Sequence, residues 1–481
     1  MAQHEDQLNM RQQKREALRK KRAAEQRRMK LALVLAAVVL AACGYGIFSI
    51  AGKTDVKPGA TLSQPQETKP VQATEATEET TPKKDPLTTI HIKAAGDLNV
   101  TTSVVNAGLA PNGFNFTNAF IDVASTMASA DLTVLNFEGN VYGQNYGTET
   151  TVAPKELLDG LRSMGVDLVQ TANSTSINNG LIGLTSTLSA VRNSGMVPLG
   201  SYASSGDFQQ SKGYTMVEVQ GIRVAFVAFT KGVGGKGMPA GNEDCVNLLY
   251  LDYDSEYRKI DKDGIHKVLD AVAKEEPDIT IAMLHWGSEF NEGISETQED
   301  IVEIMTKKGV DVIIGTHPHL VQKIEYNQAA GTLIAYSLGD FFGDGTKGGT
   351  NYSIILDIEI TKDAELETTR VTGFDCIPIY TLQSTDSQGD YSYNRVVRIH
   401  EAMRAYENNF VDKISKTAYE SMEYALKRID QRIATAKKVE CPECETSLEI
   451  LVNQYGKLVD QKTCNKCGEI LEKGSNYSDY D

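Results

Sequence analysis

A His-Pro-His triplet at 317–319 is the most chemically suggestive feature of the sequence. Proline fixes the turn, and residues two apart in an extended segment can point the same way, so His317 and His319 can face one ligand. A third imidazole, His285, opens His285-Trp286-Gly287; Gly96-Asp97 supplies an aspartate, Asn136-Phe137-Glu138 an amide and a glutamate, and Asn173 a second amide. Imidazole mixed with carboxylate suits Zn, Mn or Fe better than Ca or Mg. The expected metal ligands are Asp97, Glu138, His285, His317 and His319, with Asn136 and Asn173 lining the site. A second constellation lies near the C-terminus, where Cys441-Pro-Glu-Cys444 and Cys464-Asn-Lys-Cys467 are separated by nineteen residues. Two such knuckles fit a four-cysteine zinc ribbon, a closed and structural site. A module of about 35 residues has too little core to fold alone, so the metal would supply the missing stability. The alternative is a pair of disulfides, which an oxidising location would permit.

The first set of side chains needs a frame that brings distant segments to one place. Short apolar runs at 90–95, 132–137, 166–171, 224–229, 279–284, 312–315 and 333–336 alternate with helix-like segments at 156–164, 181–193, 264–275 and 296–308. This alternation predicts an α/β fold whose strands are buried on both faces. In such sheets ligands bind beyond the carboxyl ends of the strands. The nominated Asp, Asn, Glu and His residues follow successive runs, so five strand ends would deliver them to one rim. Residues 395–437 read as helical, with Val396, Val397, Ile399, Met403 and Tyr406 near one face. His4, His91, His266 and His400 lack strand-end placement, and Cys245 and Cys376 read as small buried apolar residues.

The N-terminal part is organised differently. Residues 31–50 carry no charge, and about 20 apolar residues suffice to span a bilayer as a helix. Residues 1–30 hold ten Lys/Arg against four Asp/Glu, which makes them +6 and leaves −22 for the rest of a chain of net charge −16. The basic flank predicts a cytoplasmic N-terminus and a main domain on the outer side. The alternative is a lipoprotein, because Leu40-Ala41-Ala42-Cys43 resembles a lipobox. Residues 51–87, rich in Thr, Glu, Gln, Pro and Lys, bury too little to fold and read as a disordered stalk. The acidic body disfavours nucleic acid as a partner.

The stretches GDLN at 96–99, LNFEG at 135–139, AN at 172–173, LHWGSEF at 284–290, GVDVIIGTHPHLVQKIE at 309–325 and AYSLGDFF at 335–342 resemble the CapA, or PGA_cap, family of bacterial capsule synthesis proteins. The resemblance covers residues 89–380. It implies a metallophosphatase-like (calcineurin-like) α/β sandwich, a divalent-metal site, and a role in making, exporting or anchoring an anionic surface polymer, poly-γ-glutamate in the named members. The polymer and its synthase proteins would be the partners, together with the membrane. By position, Asp97 takes the first motif aspartate, Asn136 and Glu138 the NLE-like motif, His285 the HWG motif, and His317 and His319 the HPH motif. The chain departs from the family where Ser174 and Thr175 stand in place of an Asn-His pair, Asn178 in place of an Asp, and Asn99 where many metallophosphatases have His. Neither hydroxyl titrates near neutral pH, so neither replaces a histidine as acid or base. Two activities stay open: a metal-dependent hydrolase of phosphoester or γ-glutamyl bonds, or an inactive scaffold that binds the polymer or a synthase. The expected order is a basic segment (1–30), a transmembrane helix (31–50), a stalk (51–87), the CapA-like domain (88–394), a helical segment (395–437) and a zinc-ribbon module (438–475).

Overall fold

The structure is a computed structural model that describes residues 86–385, 391–409 and 414–476. The basic segment, the apolar run 31–50, Cys43 and nearly all of the stalk lie outside the described residues. Among the described residues, no helix is long and apolar enough to cross a membrane.

Strand β1 (Leu87–Asn99) is followed by the small hairpin β2 (Leu109–Ala110) and β3 (Gly113–Phe114), then by β4 (Leu132–Glu138), β5 (Leu168–Gln170) and β6 (Val197–Leu199). Next come β7 (Tyr214–Val219), β8 (Ile222–Thr230), β9 (Ile279–His285), β10 (Val312–Thr316), β11 (Ile324–Asn327) and β12 (Thr332–Ala335). The body closes with β13 (Asp340–Phe342), β14 (Tyr352–Asp363), β15 (Thr368–Thr385) and β16 (Tyr391–Arg398). One sheet runs β16-β15-β14-β1-β4-β5-β6, with β13 also paired to β1; the other runs β11-β12-β10-β9-β8-β7. β1, β4, β5 and β6 are mutually parallel, as are β8, β9, β10 and β12. Every run expected from the sequence is thus a strand, and the α/β sandwich is present.

Period-two alternation explains how two sheets stack. In β8, Val224, Phe226 and Ala228 face the other sheet, while Ala225, Val227 and Phe229 face the helices Lys262–Ala273 and Glu296–Lys307. In β4, Val134 faces the sandwich interior and Leu135 and Phe137 face the helices Thr117–Met127 and Lys155–Ser163. Both faces are therefore apolar, which is why the runs show no polar alternation. Each fully buried side chain of this size contributes roughly 1.5–3 kcal/mol.

The starts of four strands share one device. Asp131, Asp167, Asp278 and Asp311 each precede a strand and clamp the neighbouring one. In each case the Asp N–H donates to a carbonyl of His91, Thr133, Arg223 or Thr280, and the carboxylate accepts the same residue's N–H at 2.7–3.1 Å. These clamps fix strand register at the end of the sheets opposite the nominated residues. Asp167 and Asp278 also meet Arg162 and Lys362. Burial pushes the Asp311 carboxyl up to about 6, against the pull of the Thr280 N–H. An acid raised on folding favours the native state below the unfolded pKa and loses that contribution as pH rises through the folded one. Asp311→Asn keeps an acceptor and removes the charge. It is expected to raise stability by about 1–2 kcal/mol at pH 8 and by nothing at pH 4. Urea unfolding at the two pH values checks this, and an equal change at both would contradict it.

The C-terminal stretch differs from its helical expectation. Residues 391–398 form β16, so Val396 and Val397 belong to a strand paired with Tyr380 and Thr381 of β15. The helices are Ile399–Glu407 and Lys416–Ile433. The second buries Met422, Ala425, Ile429 and Ile433 at helical spacing against the sandwich interior. Beyond it, β17 (Thr435–Glu440) and β18 (Ser447–Val452) form a hairpin carrying the first cysteine knuckle. Gln454 docks this module on the body: its side-chain amide accepts from the Cys376 N–H at 2.7 Å and donates to the Cys376 carbonyl at 2.8 Å.

Candidate functional site

The carboxyl ends of β1, β4, β9 and β10 converge. Glycines permit the approach: a Cβ on Gly96 would sit 1.8 Å from the Gly339 carbonyl oxygen, and one on Gly315 would sit 1.9 Å from that of Tyr336. Asp97 and Asp340 are then register partners of β1 and β13. The fully buried Trp286 locks the rim by donating its indole N–H to the Tyr336 carbonyl at 2.9 Å.

Asp97 is the hub of the cluster. One carboxylate oxygen accepts from the Asn136 amide at 2.6 Å and the other from the His317 backbone N–H at 2.9 Å. That second bond holds His317 at φ 89°, while His319 has φ 58°. Positive φ is uncommon outside glycine, and two such residues flanking one proline make a strained turn that Asp97 keeps in place. His285 Nδ1 lies 3.6 Å from Glu138 Oε1 and 4.0 Å from Asp97 Oδ1. His319 Nδ1 lies 3.6 Å from Asp97 Oδ2. Ligand atoms of Glu138, His285 and His317 fall within 4.8 Å of one another, as do those of Asp97, Glu138 and His319. The five residues nominated as ligands are thus neighbours.

The two nominated amides are there but turned to other work. The Asn173 amide donates to the Phe137 carbonyl at 2.7 Å and to Asn136 Oδ1 at 3.0 Å, and its own oxygen accepts from the Thr175 N–H and hydroxyl. This chain fixes which way Asn136 points, so its NH2 faces Asp97. Asn136 and Asn173 orient the centre and offer it no oxygen. Ser174, in the position of the motif Asn, donates its hydroxyl to Glu138 Oε2 at 3.2 Å.

Asp340 belongs to the cluster and was not among the nominated residues. It accepts from His319 Nδ1 at 2.7 Å. The available signal was the second Gly-Asp pair, Gly339-Asp340, closing another apolar run.

The electrostatics of the cluster favour a bound cation. Burial, Asp97 and Asp340 push the Glu138 carboxyl well above its ordinary range, and burial raises Asp340 to about 6. Burial and neighbouring cationic groups hold His285 and His317 well below the usual imidazole range. Burial also opposes charge on His319, but Asp340, Glu138 and Asp97 outweigh it and raise His319 well above that range. Three buried carboxyl groups, Asp97, Glu138 and Asp340, therefore crowd His319 where burial disfavours the charge on Glu138 and Asp340. In addition, His285 Nε2 and His317 Nδ1 are enclosed without any hydrogen-bond partner. Each such orphan costs about 1–3 kcal/mol unless something binds it. The residues fit a divalent metal.

The four knuckle cysteines also gather, their sulfurs all within 4.8 Å of one another. Cys441 and Cys467 sulfurs are 3.5 Å apart, and Cys444 and Cys464 sulfurs 3.6 Å. A tetrahedron with Zn–S bonds near 2.3 Å has edges of roughly 3.8 Å. Both knuckles use one turn: the Glu445 N–H returns to the Cys441 carbonyl and the Gly468 N–H to the Cys464 carbonyl, with φ 56° and 80°. Hydrogen bonds from Thr446 hold the Cys444 thiol down at about 6. The donor set fits a tetrahedral thiolate metal such as zinc.

The family model for the bacterial capsule synthesis protein PGA_cap matches residues 91–344. The PGA biosynthesis protein CapA of Bacillus subtilis (strain 168) is 28% identical over 241 residues, 49% of this chain and 59% of that protein. The capsule biosynthesis protein CapA of Bacillus anthracis is 27% identical over 194 residues, 40% of this chain and 44% of that protein. The chain spans less than two thirds of the length of either. Among solved structures, the calcineurin-like phosphoesterase YfkN from Bacillus subtilis is 13% identical, with TM-score 0.38, covering 71% of this chain and 100% of that one. A phosphatase from Mycoplasma pneumoniae is 14% identical, with TM-score 0.39, covering 61% and 94%.

Proposed function

Because the chain belongs to the PGA_cap family of bacterial capsule synthesis proteins, we propose that it acts in the synthesis, export or anchoring of an anionic extracellular polymer of the poly-γ-glutamate type. In this reading residues 31–50 anchor it in the membrane, or Cys43 carries a lipid, and the domain from 88 onward works on the outer side. Its strand-end centre holds a divalent cation, Zn, Mn or Fe, on Asp97, Glu138, His285, His317 and His319. Cys441, Cys444, Cys464 and Cys467 hold a structural zinc. The observation that carries the proposal is the enclosed pair of unpartnered imidazole nitrogens beside the three buried carboxyl groups of Asp97, Glu138 and Asp340.

When bound, a cation at this position would polarise a phosphoryl or acyl oxygen and lower the pKa of a water. The chain's own residues set up that chemistry. Asp97 holds the strained turn at 317, Asn136 and Asn173 fix the carboxylate's orientation, and Asp340 anchors the His319 ring. Ser174 donates to Glu138 and Thr175 is spent on Asn173, so the position of the motif histidine supplies no titrating acid.

That last observation favours a second reading, a scaffold that binds polymer or a synthase partner and hydrolyses nothing. Purified full-length protein, loaded with Mn or Zn, separates the two when assayed on phosphoester and γ-glutamyl substrates. Chelator-sensitive hydrolysis supports the enzyme. Full metal content with no turnover, and activity appearing only in the Ser174→Asn/Thr175→His double variant, supports the scaffold. Deleting the gene from its host is expected to abolish the surface polymer in either case, and an unchanged polymer would overturn the proposed role.

A further inference from the structure

The solvent side of the centre is framed by the end of the LHWGSEF stretch, beyond the nominated His285. After His285 the chain turns through Gly287 at φ 72° and reaches Phe290 at φ 56°, a conformation that an aromatic residue rarely adopts. Phe290 is pinned there twice. Its N–H donates to the Pro318 carbonyl at 2.9 Å, and its ring stacks on His319 at 5.5 Å between centroids. The residue so presented is Glu289. Its carboxylate is exposed, makes no hydrogen bond or ion pair among the described residues, and lies within 4.8 Å of ligand nitrogens of both His317 and His319. The second observation is the enclosed His317 ring, whose Nδ1 has no partner and which belongs to this donor set as well as to the inner one.

We infer that Glu289 is a further metal ligand, closing the centre from its solvent side on the cation that His317 and His319 contact. This rests on the metal-centre reading above. The donor types fit: a carboxylate oxygen joined to two imidazole nitrogens is an ordinary set for Mn, Fe or Zn. The placement also has a consequence. Asp97, Glu138 and His285 are buried and cannot leave, whereas Glu289 can swing into solvent, so it is the one ligand that an incoming carboxylate or phosphate could replace without disturbing the interior.

The test uses the full-length protein, its Glu289→Gln and Glu289→Asp variants, and Mn2+ alone as probe, because thiolates take Mn2+ poorly and the cysteine module then stays silent. Mn2+ affinity is read by equilibrium titration and the coordination sphere by electron paramagnetic resonance. Glu289→Gln is expected to weaken Mn2+ binding at least tenfold and to change the resonance spectrum, with Glu289→Asp recovering part of the affinity. Unaltered affinity and spectrum in Glu289→Gln would overturn the assignment. Failure of the wild-type protein to bind Mn2+, Zn2+ or Fe2+ at the strand-end site would instead overturn the metal centre itself. Glu289 is exposed, so its replacement leaves the fold intact and the readout stays interpretable.

Discussion

Asp97→Asn is expected to lower divalent-metal affinity by about 100-fold while leaving the melting temperature of the metal-free protein nearly unchanged. The two halves have different causes. In the metal-bound state the variant lacks a ligand charge, and asparagine has one acceptor where aspartate used two. Either the Asn136 amide or the His317 N–H then faces another donor, at a cost of about 1–3 kcal/mol. Loss of the His317 bond also releases the turn at φ 89°, so both histidines drift from their poses. Together these account for roughly two powers of ten in affinity. In the metal-free state the same lost bond is offset, because Asp97 is one of the groups that disfavours the Glu138 charge, and the neutral amide relieves it. The measurement is the melting temperature with and without excess Mn2+. A ligand at about 1,000 times the wild-type Kd stabilises the wild type by about 4 kcal/mol and a variant of about 100-fold weaker affinity by only about 1.4 kcal/mol, so the wild-type melting temperature rises much further. A variant stabilised by Mn2+ as strongly as the wild type would show that Asp97 is not a ligand.

The other large effect concerns the cysteine module. Cys464→Ser, or a chelator strong enough to strip thiolate zinc, is expected to unfold residues 435–476 and leave the sandwich folded. The apolar residues of this module are few, chiefly Leu448, Ile450, Val452, Leu458 and Leu471, and two of the sulfurs are themselves part of that cluster. A core of this size falls short of the chain entropy of about 40 residues, so the metal must supply the difference. Zinc binding in small Cys-ligated modules supplies on the order of 10–16 kcal/mol. Limited proteolysis reads the outcome: new cleavage after Ile433 with a stable fragment below it, and one zinc released per chain. Retained protease resistance in Cys464→Ser would contradict the metal's role, and cysteines found oxidised in the native protein would favour the disulfide alternative.

How much of this was legible in the sequence follows from where each side chain gets its neighbours. The parallel strands were readable because both their faces are buried, so each is an unbroken apolar run ending in a polar residue. Asp97, Glu138, His285, His317 and His319 were readable for the same reason, since a strand end is a fixed address in an α/β sheet. Three things were not. Residues 395–398, the end of the strand Tyr391–Arg398, read as helix because Val396, Val397 and Ile399 satisfy either period over so short a stretch, and only the strand's pairing with Thr368–Thr385 decides. The roles of Asn136 and Asn173 as orienting groups depend on a hydrogen-bond chain from the Phe137 carbonyl, which spacing cannot show. Asp340 and Glu289 enter the centre through β13's pairing with β1 and through the contact of Phe290 with Pro318, both tertiary events. The antiparallel strand β14 did carry a signal, the alternation of Ile358, Glu359, Ile360 and Thr361.

The central claim is that side chains from separate strands share a cation. A crystal of the full-length protein grown with Mn2+ and measured at the Mn absorption edge tests it most directly. The account predicts an anomalous peak at about 2.0–2.3 Å from atoms of Asp97, Glu138 and the strand-end histidines, filling the gap beside His285 Nε2 or His317 Nδ1. A well-ordered centre with no such peak, its histidines hydrogen-bonded only to water, would contradict it.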